Sequence, residues 1–189
     1  MATITPMVAG DRLPTLDATR VRLRWLSDAD AEPLYAVFSD PAVMRYWSTP
    51  PMRDLGEAQA LIAEIHEFFR TQRLFQWGLA RCEDDKVIGT CTLFAINPAQ
   101  GRCEVGYALG HAHWGRGYMH EALTALIGFA FGTLEMRRLE ADIDPRNPRS
   151  LKLLERLGFR REGLLRERWK INGELQDSVV LGLLRHEWH

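Results

Sequence analysis

The chain has 189 residues, 46% apolar and 26% charged, which suits one globular domain with a single sizeable core. Its 24 basic and 25 acidic side chains leave a formal net charge of −1. That balance excludes a global basic field drawing the chain to nucleic acid or an anionic membrane, and it excludes an acidic tail.

Residues 1–15 carry neither a basic leader nor a continuous apolar stretch, so they read as a loose N-terminal segment rather than a signal peptide. The domain is set at residues 16–189. The longest apolar run, near residues 122–134, falls short of the roughly 20 residues a membrane helix needs. Cys82, Cys91 and Cys103 are odd in number and show no paired spacing. They frame no disulfide scaffold and read as small core residues in a reducing compartment. The expectation is a cytoplasmic protein with no membrane partner.

Residues 20–26 alternate arginine with apolar side chains, the period of a strand. Ser27, with Asp28 and Asp30 behind it, marks a capped helix start. Asp40-Pro41 opens a second short helix through Tyr46. Leu55, Ala58, Leu61, Ile62, Ile65, Phe68 and Phe69 then recur at three- and four-residue spacing, an amphipathic helix over residues 54–72. Residues 75–82 and 86–96 flank a polar break and read as a hairpin. After the turn cluster at residues 97–101, a third meander strand covers residues 102–109. Beyond a glycine turn, Tyr118, Ala122, Ala125, Leu126 and Phe129 mark one helix face. A strand follows at residues 137–144, then a helix from Pro148 to Leu157 stopped by Gly158. Asn172-Gly173 closes a last hairpin. The sum is an α/β (α+β) fold: a mixed, largely antiparallel sheet of about seven strands with about four helices.

The glycine turn, His111-Ala112-His113-Trp114-Gly115-Arg116-Gly117-Tyr118-Met119-His120, joins a strand to a helix. Its glycines let the main chain approach a ligand, and the helix start adds unpaired N–H groups and a partial positive charge. Together these make an anion site suited to a pyrophosphate, with Arg116 as an added charged donor. A tight connection alone would also explain a Gly-x-Gly. A P-loop would need Lys-Ser/Thr after the last glycine, and a dinucleotide fingerprint a third glycine where His120 stands. Neither is present.

With the turn in view, four ordered stretches resemble the GNAT superfamily of acyl-CoA N-acyltransferases, and within it the ribosomal-protein-alanine N-acetyltransferase branch. They are Arg20-Val21-Arg22-Leu23-Arg24; Glu104-Val105-Gly106-Tyr107; Trp114-Gly115-Arg116-Gly117-Tyr118 with Glu121-Ala122-Leu123; and the run from Asn147-Pro148-Arg149-Ser150 to Leu157-Gly158-Phe159. The likeness spans about residues 16 to 188. One departure is Ala112, where the superfamily usually has Gln or Arg; a grip made by main-chain N–H groups does not depend on it.

The resemblance implies a splayed central pair of parallel strands, residues 104–109 and 139–144, with pantetheine lying in the gap like an added strand. It implies acetyl-CoA as co-substrate, held by Tyr107, Ala108 and Leu109 and by the turn residues Trp114, Gly115, Arg116, Gly117, Tyr118 and Met119. Asn147 would bond the pantetheine arm. Ser150 would donate to the departing thiolate, the superfamily's usual tyrosine being absent from that helix. Asn147-Pro148 is equally a plain helix start. Glu104 is the candidate base, its alternative being an ordinary strand carboxylate paired with Arg102 or with solvent. Tyr46, Trp47 and Trp77 would line the acceptor pocket, or serve only as core. Main-chain N–H groups near residues 105–107 would polarise the thioester carbonyl.

Attack through Cys103 has no histidine partner in context, and the scattered histidines make no zinc set, so no metal is expected. The arginine-rich run at residues 156–170 reads as solvated faces, or as a contact for the CoA 3′-phosphate or an acidic substrate. A homodimer by sheet-edge pairing is implied by the resemblance. The acceptor is a protein N-terminus or a small amine. A larger acyl donor such as succinyl-CoA, and a catalytically silent CoA-binding module, stay open as alternatives.

Overall fold

The structure, a computed structural model, describes residues 7–171 and 173–189. The chain begins its sheet with β1 (Leu16–Asp17) and β2 (Val21–Arg24). Asp30 then gathers the Ser27 N–H at 2.8 Å and the Arg24 guanidinium at 2.8 Å, fixing the entry to α1 (Ala31–Phe38). Next come α2 (Pro41–Met44), capped by Asp40, and α3 (Leu55–Arg70), capped by Asp54. The meander β3 (Phe75–Arg81), β4 (Val87–Asn97) and β5 (Arg102–Leu109) follows. A helix α4 (Tyr118–Gly132) leads to β6 (Arg138–Ile143), α5 (Pro148–Arg156), β7 (Arg160–Ile171) and β8 (Glu174–Leu184).

One sheet runs in the order β1-β2-β3-β4-β5-β6-β8-β7. Every neighbouring pair is antiparallel except β5 and β6, which α4 joins as a parallel crossover. The sheet has eight strands and the chain five α-helices among the described residues, against about seven and four expected. The extra strand, β1, is two residues long, too short to carry a period. Asn172 of the expected last turn lies outside the described residues; Gly173 beside it takes φ 87°.

Apolar side chains cover both faces of the sheet. On one, α4 and α5 bury Trp77, Leu79, Cys91, Leu93, Cys103, Val105, Leu139 and Leu181; on the other, α1 to α3 bury Leu34, Val37, Phe38, Ile62 and Ile65 over Ala80 and Ala108. Each large side chain so buried contributes about 1.5–3 kcal/mol. Within the segment expected to be loose, Val8 and Leu13 are buried, and Pro14 O accepts the Trp77 indole N–H at 2.8 Å.

Candidate active site

The turn between β5 and α4 has the geometry of an anion cradle. Gly115 and Gly117 take φ 73° and 83°, left-handed angles that favour glycine. The first helical bond is Glu121 N–H to Gly117 O at 3.2 Å. The N–H groups of Gly115, Arg116, Gly117, Tyr118, Met119 and His120 have no partner among the described residues, and they lie at the positive end of α4. Met119 itself is buried, its sulfur 3.6 Å from Cys91 Sγ, so only its main chain is on offer. Burial, together with the charges of Arg81, Arg116 and Lys86, holds His113 below the usual histidine range.

Beside the turn the sheet divides. Strands β5 and β6 pair at only three positions, Arg102 with Arg138, Cys103 with Leu139 and Glu104 with Glu140. Beyond Glu104, β5 stays on β4 as far as Leu109, and β6 stays on β8 as far as Ile143. Gly110 N–H donates to Ile88 O at 2.8 Å. Hydrogen-bonded pairs alternate along antiparallel strands, so Ala108, Gly106 and Glu104 turn their main-chain groups to β4. Val105, Tyr107 and Leu109 turn theirs to the gap. This corrects the expectation for Ala108: its main chain belongs to β4 and its side chain is buried under α1 to α3. Tyr107 and Leu109 do face the gap, joined by Val105. Trp114 ends that ribbon, its indole N–H held by Leu109 O at 2.7 Å and its ring lying 4.9 Å from the Arg149 guanidinium.

Strand alternation also divides the side chains. Cys103, Val105 and Tyr107 point to the α4–α5 face, Glu104 to the other. Tyr107 sends its hydroxyl to Ser150 O, 3.5 Å away at the start of α5. Burial pushes its phenol well above the usual range, so it stays protonated at neutral pH. Asn147 caps α5, its Oδ1 accepting the Ser150 N–H at 3.1 Å, and Ser150 is half-buried beside the gap.

On the opposite face, burial and the charges of Glu140 and Asp142 push the Glu104 carboxyl above the usual carboxylate range. The Arg102 alternative does not hold: Arg102 donates to Glu140 at 2.9 Å, and Arg138 joins it there at 2.7 Å. Glu104 keeps no hydrogen-bond partner among the described residues. Next to it, Asp142 accepts from Ser178 Oγ and from the Trp169 indole N–H. A half-buried carboxylate held ready to take a proton is the property a general base needs.

Between α2, the segment after it and the start of β8 lies a cavity of about 340 Å³ lined by Pro41, Met44, Arg45, Trp47, Pro50, Pro51, Glu174 and Gln176 among others. Trp47 borders it and packs edge-on against Phe38. Tyr46 stands outside that lining, with the Arg45 guanidinium 5.4 Å from its ring. Trp77 is corrected: it is fully buried on the α4 face, 5.5 Å from the Phe129 ring, and cannot meet an acceptor. A larger hollow, about 640 Å³, lies at the far end of α4, between residues 7–15 and Thr133. Among the described residues no group of three or more His, Cys, Asp or Glu is placed to hold a metal, and no helix is long and apolar enough to cross a membrane.

Two residues with structural parts here had no role assigned from sequence. Arg20 and Glu121 pair beneath the glycine turn, with N–O distances from 2.5 to 2.9 Å. Both stood inside the resembling stretches, but no periodicity links positions 101 apart.

Residues 20–160 match the Acetyltransferase (GNAT) domain family. The chain is 38% identical over 93% of its length, and 99% of the relative's, to the uncharacterized N-acetyltransferase p20 of Bacillus licheniformis. It is 31% identical, with 92% of each chain covered, to the [ribosomal protein uS5]-alanine N-acetyltransferase of Escherichia coli. It is 26% identical to that organism's spermidine N(1)-acetyltransferase, over 90% of this chain and 89% of the relative. The solved structure of Mycobacterium smegmatis RimJ in complex with CoA-disulfide shares the fold, with a TM-score of 0.84 at 20% identity, covering 92% of this chain and 88% of that one. A divided β5–β6 pair beside a bare helix N-terminus, on a chain matching the GNAT domain along most of its length, makes this protein a member of the GNAT family and an acyl-CoA N-acetyltransferase.

Proposed function

We propose that the protein moves the acetyl group of acetyl-CoA directly to a primary amine, with the α-amine of a protein N-terminus as the favoured acceptor. The observation that carries this reading is the division of β5 from β6 at Glu104. Main-chain groups of Val105, Tyr107 and Leu109 line a slot that opens onto the bare N–H groups of Gly115 to His120. A pantetheine arm fits the slot as a missing strand, its diphosphate fits the turn, and Asn147 and Arg116 flank them.

In this reading the ammonium first gives a proton to Glu104, directly or through water. The neutral amine attacks the thioester carbon, and a main-chain N–H of Val105 or Tyr107 holds the oxyanion. The carbon–sulfur bond then breaks, nitrogen loses its second proton to solvent, and the thiolate is protonated beside Ser150. The holding of two reactants together supplies much of the acceleration.

An α-amine, pKa about 8, needs about 1.4 kcal/mol to reach its neutral form at pH 7; a side-chain ammonium near 10.4 needs about 4.6 kcal/mol. A single modestly shifted carboxylate serves the first far better than the second. The relative acting on ribosomal protein uS5 agrees with that choice, and the spermidine-acetylating relative keeps a polyamine acceptor as the second reading.

The exposed edge strand β7, with Leu164, Leu165 and Trp169 on its surface, supports a homodimer formed edge to edge. The deciding experiment follows free CoA released from acetyl-CoA and succinyl-CoA with N-terminal peptides of ribosomal proteins, polyamines and amino acids. Peptides should turn over with the highest kcat/KM. Tight CoA binding with no thiol release from any pair would instead mark a silent binding module.

A further inference from the structure

Arg20 directs its main-chain N–H, Nε and Nη2 at a turn 96 residues away and the helix start behind it. Its main-chain N–H and Nε reach the two Glu121 carboxylate oxygens at 2.9 and 2.6 Å. Its Nη2 donates to Arg116 O at 2.9 Å and lies 2.5 Å from Glu121 Oε1. The guanidinium stands 5.0 Å from the Tyr118 ring centroid, and its Nη2 is 3.0 Å from where a Cβ on Gly117 would sit. From just ahead of β2, Arg20 thus reaches Arg116, Tyr118 and Glu121 of the cradle and of the first turn of α4, and borders Gly117.

Two consequences follow from charge. A turn that presents successive N–H groups to an anion has to send its carbonyl oxygens elsewhere, and the Arg116 oxygen is held back by Arg20. Glu121, in the first turn of α4, suits the bare helix end but opposes a phosphate brought to the same end. The Arg20 guanidinium lies against that carboxylate and cancels it. A cradle held in its binding shape before the ligand arrives loses less free energy when it binds.

We propose that Arg20 is the positioning residue of the pyrophosphate cradle, fixing the Arg116 carbonyl and neutralising Glu121 so that the turn receives the diphosphate of CoA. The inference rests on the turn holding that diphosphate, as read above.

The test compares the wild type with Arg20→Met, Arg20→Lys and the double variant Arg20→Met/Glu121→Gln. Calorimetry gives the Kd for CoA, and turnover of S-acetylpantetheine, a donor with no pyrophosphate, serves as the internal reference. Arg20→Met should weaken CoA roughly tenfold or more, the scale of one lost charge-assisted hydrogen bond. Arg20→Lys, which keeps the charge but loses the fork, should fall between. The double variant should regain part of the loss, because the unopposed carboxylate is gone. The kcat/KM for S-acetylpantetheine, which brings no diphosphate to the cradle, should fall by a much smaller factor than the affinity for CoA.

CoA binding by Arg20→Met within twofold of wild type overturns the inference, as does an equal loss with both donors. A wild type that gives no heat with CoA overturns the pyrophosphate reading and the inference together, an outcome distinct from the first.

Discussion

The Tyr107 hydroxyl donates to the Ser150 main-chain oxygen at 3.5 Å, tying β5 to the first turn of α5 across the divided sheet. At that length the bond is weak, so its loss should cost stability little, at most about 1 kcal/mol. Its effect on the slot should be larger, because it spaces the two walls. Tyr107→Phe should raise the KM for acetyl-CoA several-fold while thermal unfolding shifts by only a few degrees, as read by steady-state kinetics and calorimetry.

Glu104→Gln should lower kcat about 10²–10⁴-fold with an α-amine acceptor, the range of a lost general base. The wild-type rate should rise with pH through a limb lying above the ordinary carboxylate range, because burial, Glu140 and Asp142 disfavour the charged form. The variant should lack that limb. A pH profile of kcat/KM that is unchanged in Glu104→Gln removes the base role.

The same shift has a sign for stability. A carboxyl whose folded pKa is raised binds its proton more tightly folded than unfolded, so its contribution declines as pH rises through the unfolded pKa. At pH 7 the charged Glu104 therefore weighs against the fold. Glu104→Gln should unfold at a higher temperature than wild type at pH 7, and the difference should shrink toward pH 4. Thermal melts at the two pH values check it.

Gly117→Ala forces a side chain into the left-handed region at φ 83° and against Arg20 Nη2. The backbone alone costs about 1–2 kcal/mol. Gly115→Ala carries a similar backbone strain, yet nothing lies within 4 Å of its new Cβ. CoA titrations should therefore show a larger loss for Gly117→Ala than for Gly115→Ala.

Cys103 is buried on the α4 face, and burial with Glu104 and Glu140 pushes its thiol up to about 12. A thiol so held is not a nucleophile at neutral pH. Cys103→Ala should keep kcat within about twofold, and no acetylated enzyme should appear by mass spectrometry after mixing with acetyl-CoA alone.

The order of elements was legible because each carried a local signal: the three- and four-residue spacing in α3, the polar break between β3 and β4, the glycines before α4, the Asn147-Pro148 start of α5. The turn was legible for the same reason. What stayed hidden depends on register. Whether Ala108 or Val105 faces the gap is decided by one hydrogen bond, Gly110 to Ile88, which no composition reveals. Whether Trp77 lines the acceptor pocket or serves as core stays open in the sequence, because an aromatic on a strand carries no mark of which sheet face it will take; it is core. Glu104's freedom from Arg102 depends on Glu140, a partner 38 positions further along that arrives beside Arg102 only when the crossover closes. Arg20 and Glu121 are joined by tertiary contact alone.

Because Glu104 and Tyr107 project from opposite sides of one ribbon, the proposed chemistry gives the two reactants separate doorways into a shared chamber. Neither visitor has to leave before the other arrives, so initial-rate patterns should intersect rather than run parallel, with no compulsory sequence imposed by crowding. A conjugate joining amine to coenzyme would have to pass through the parting of the two strands beyond Glu104.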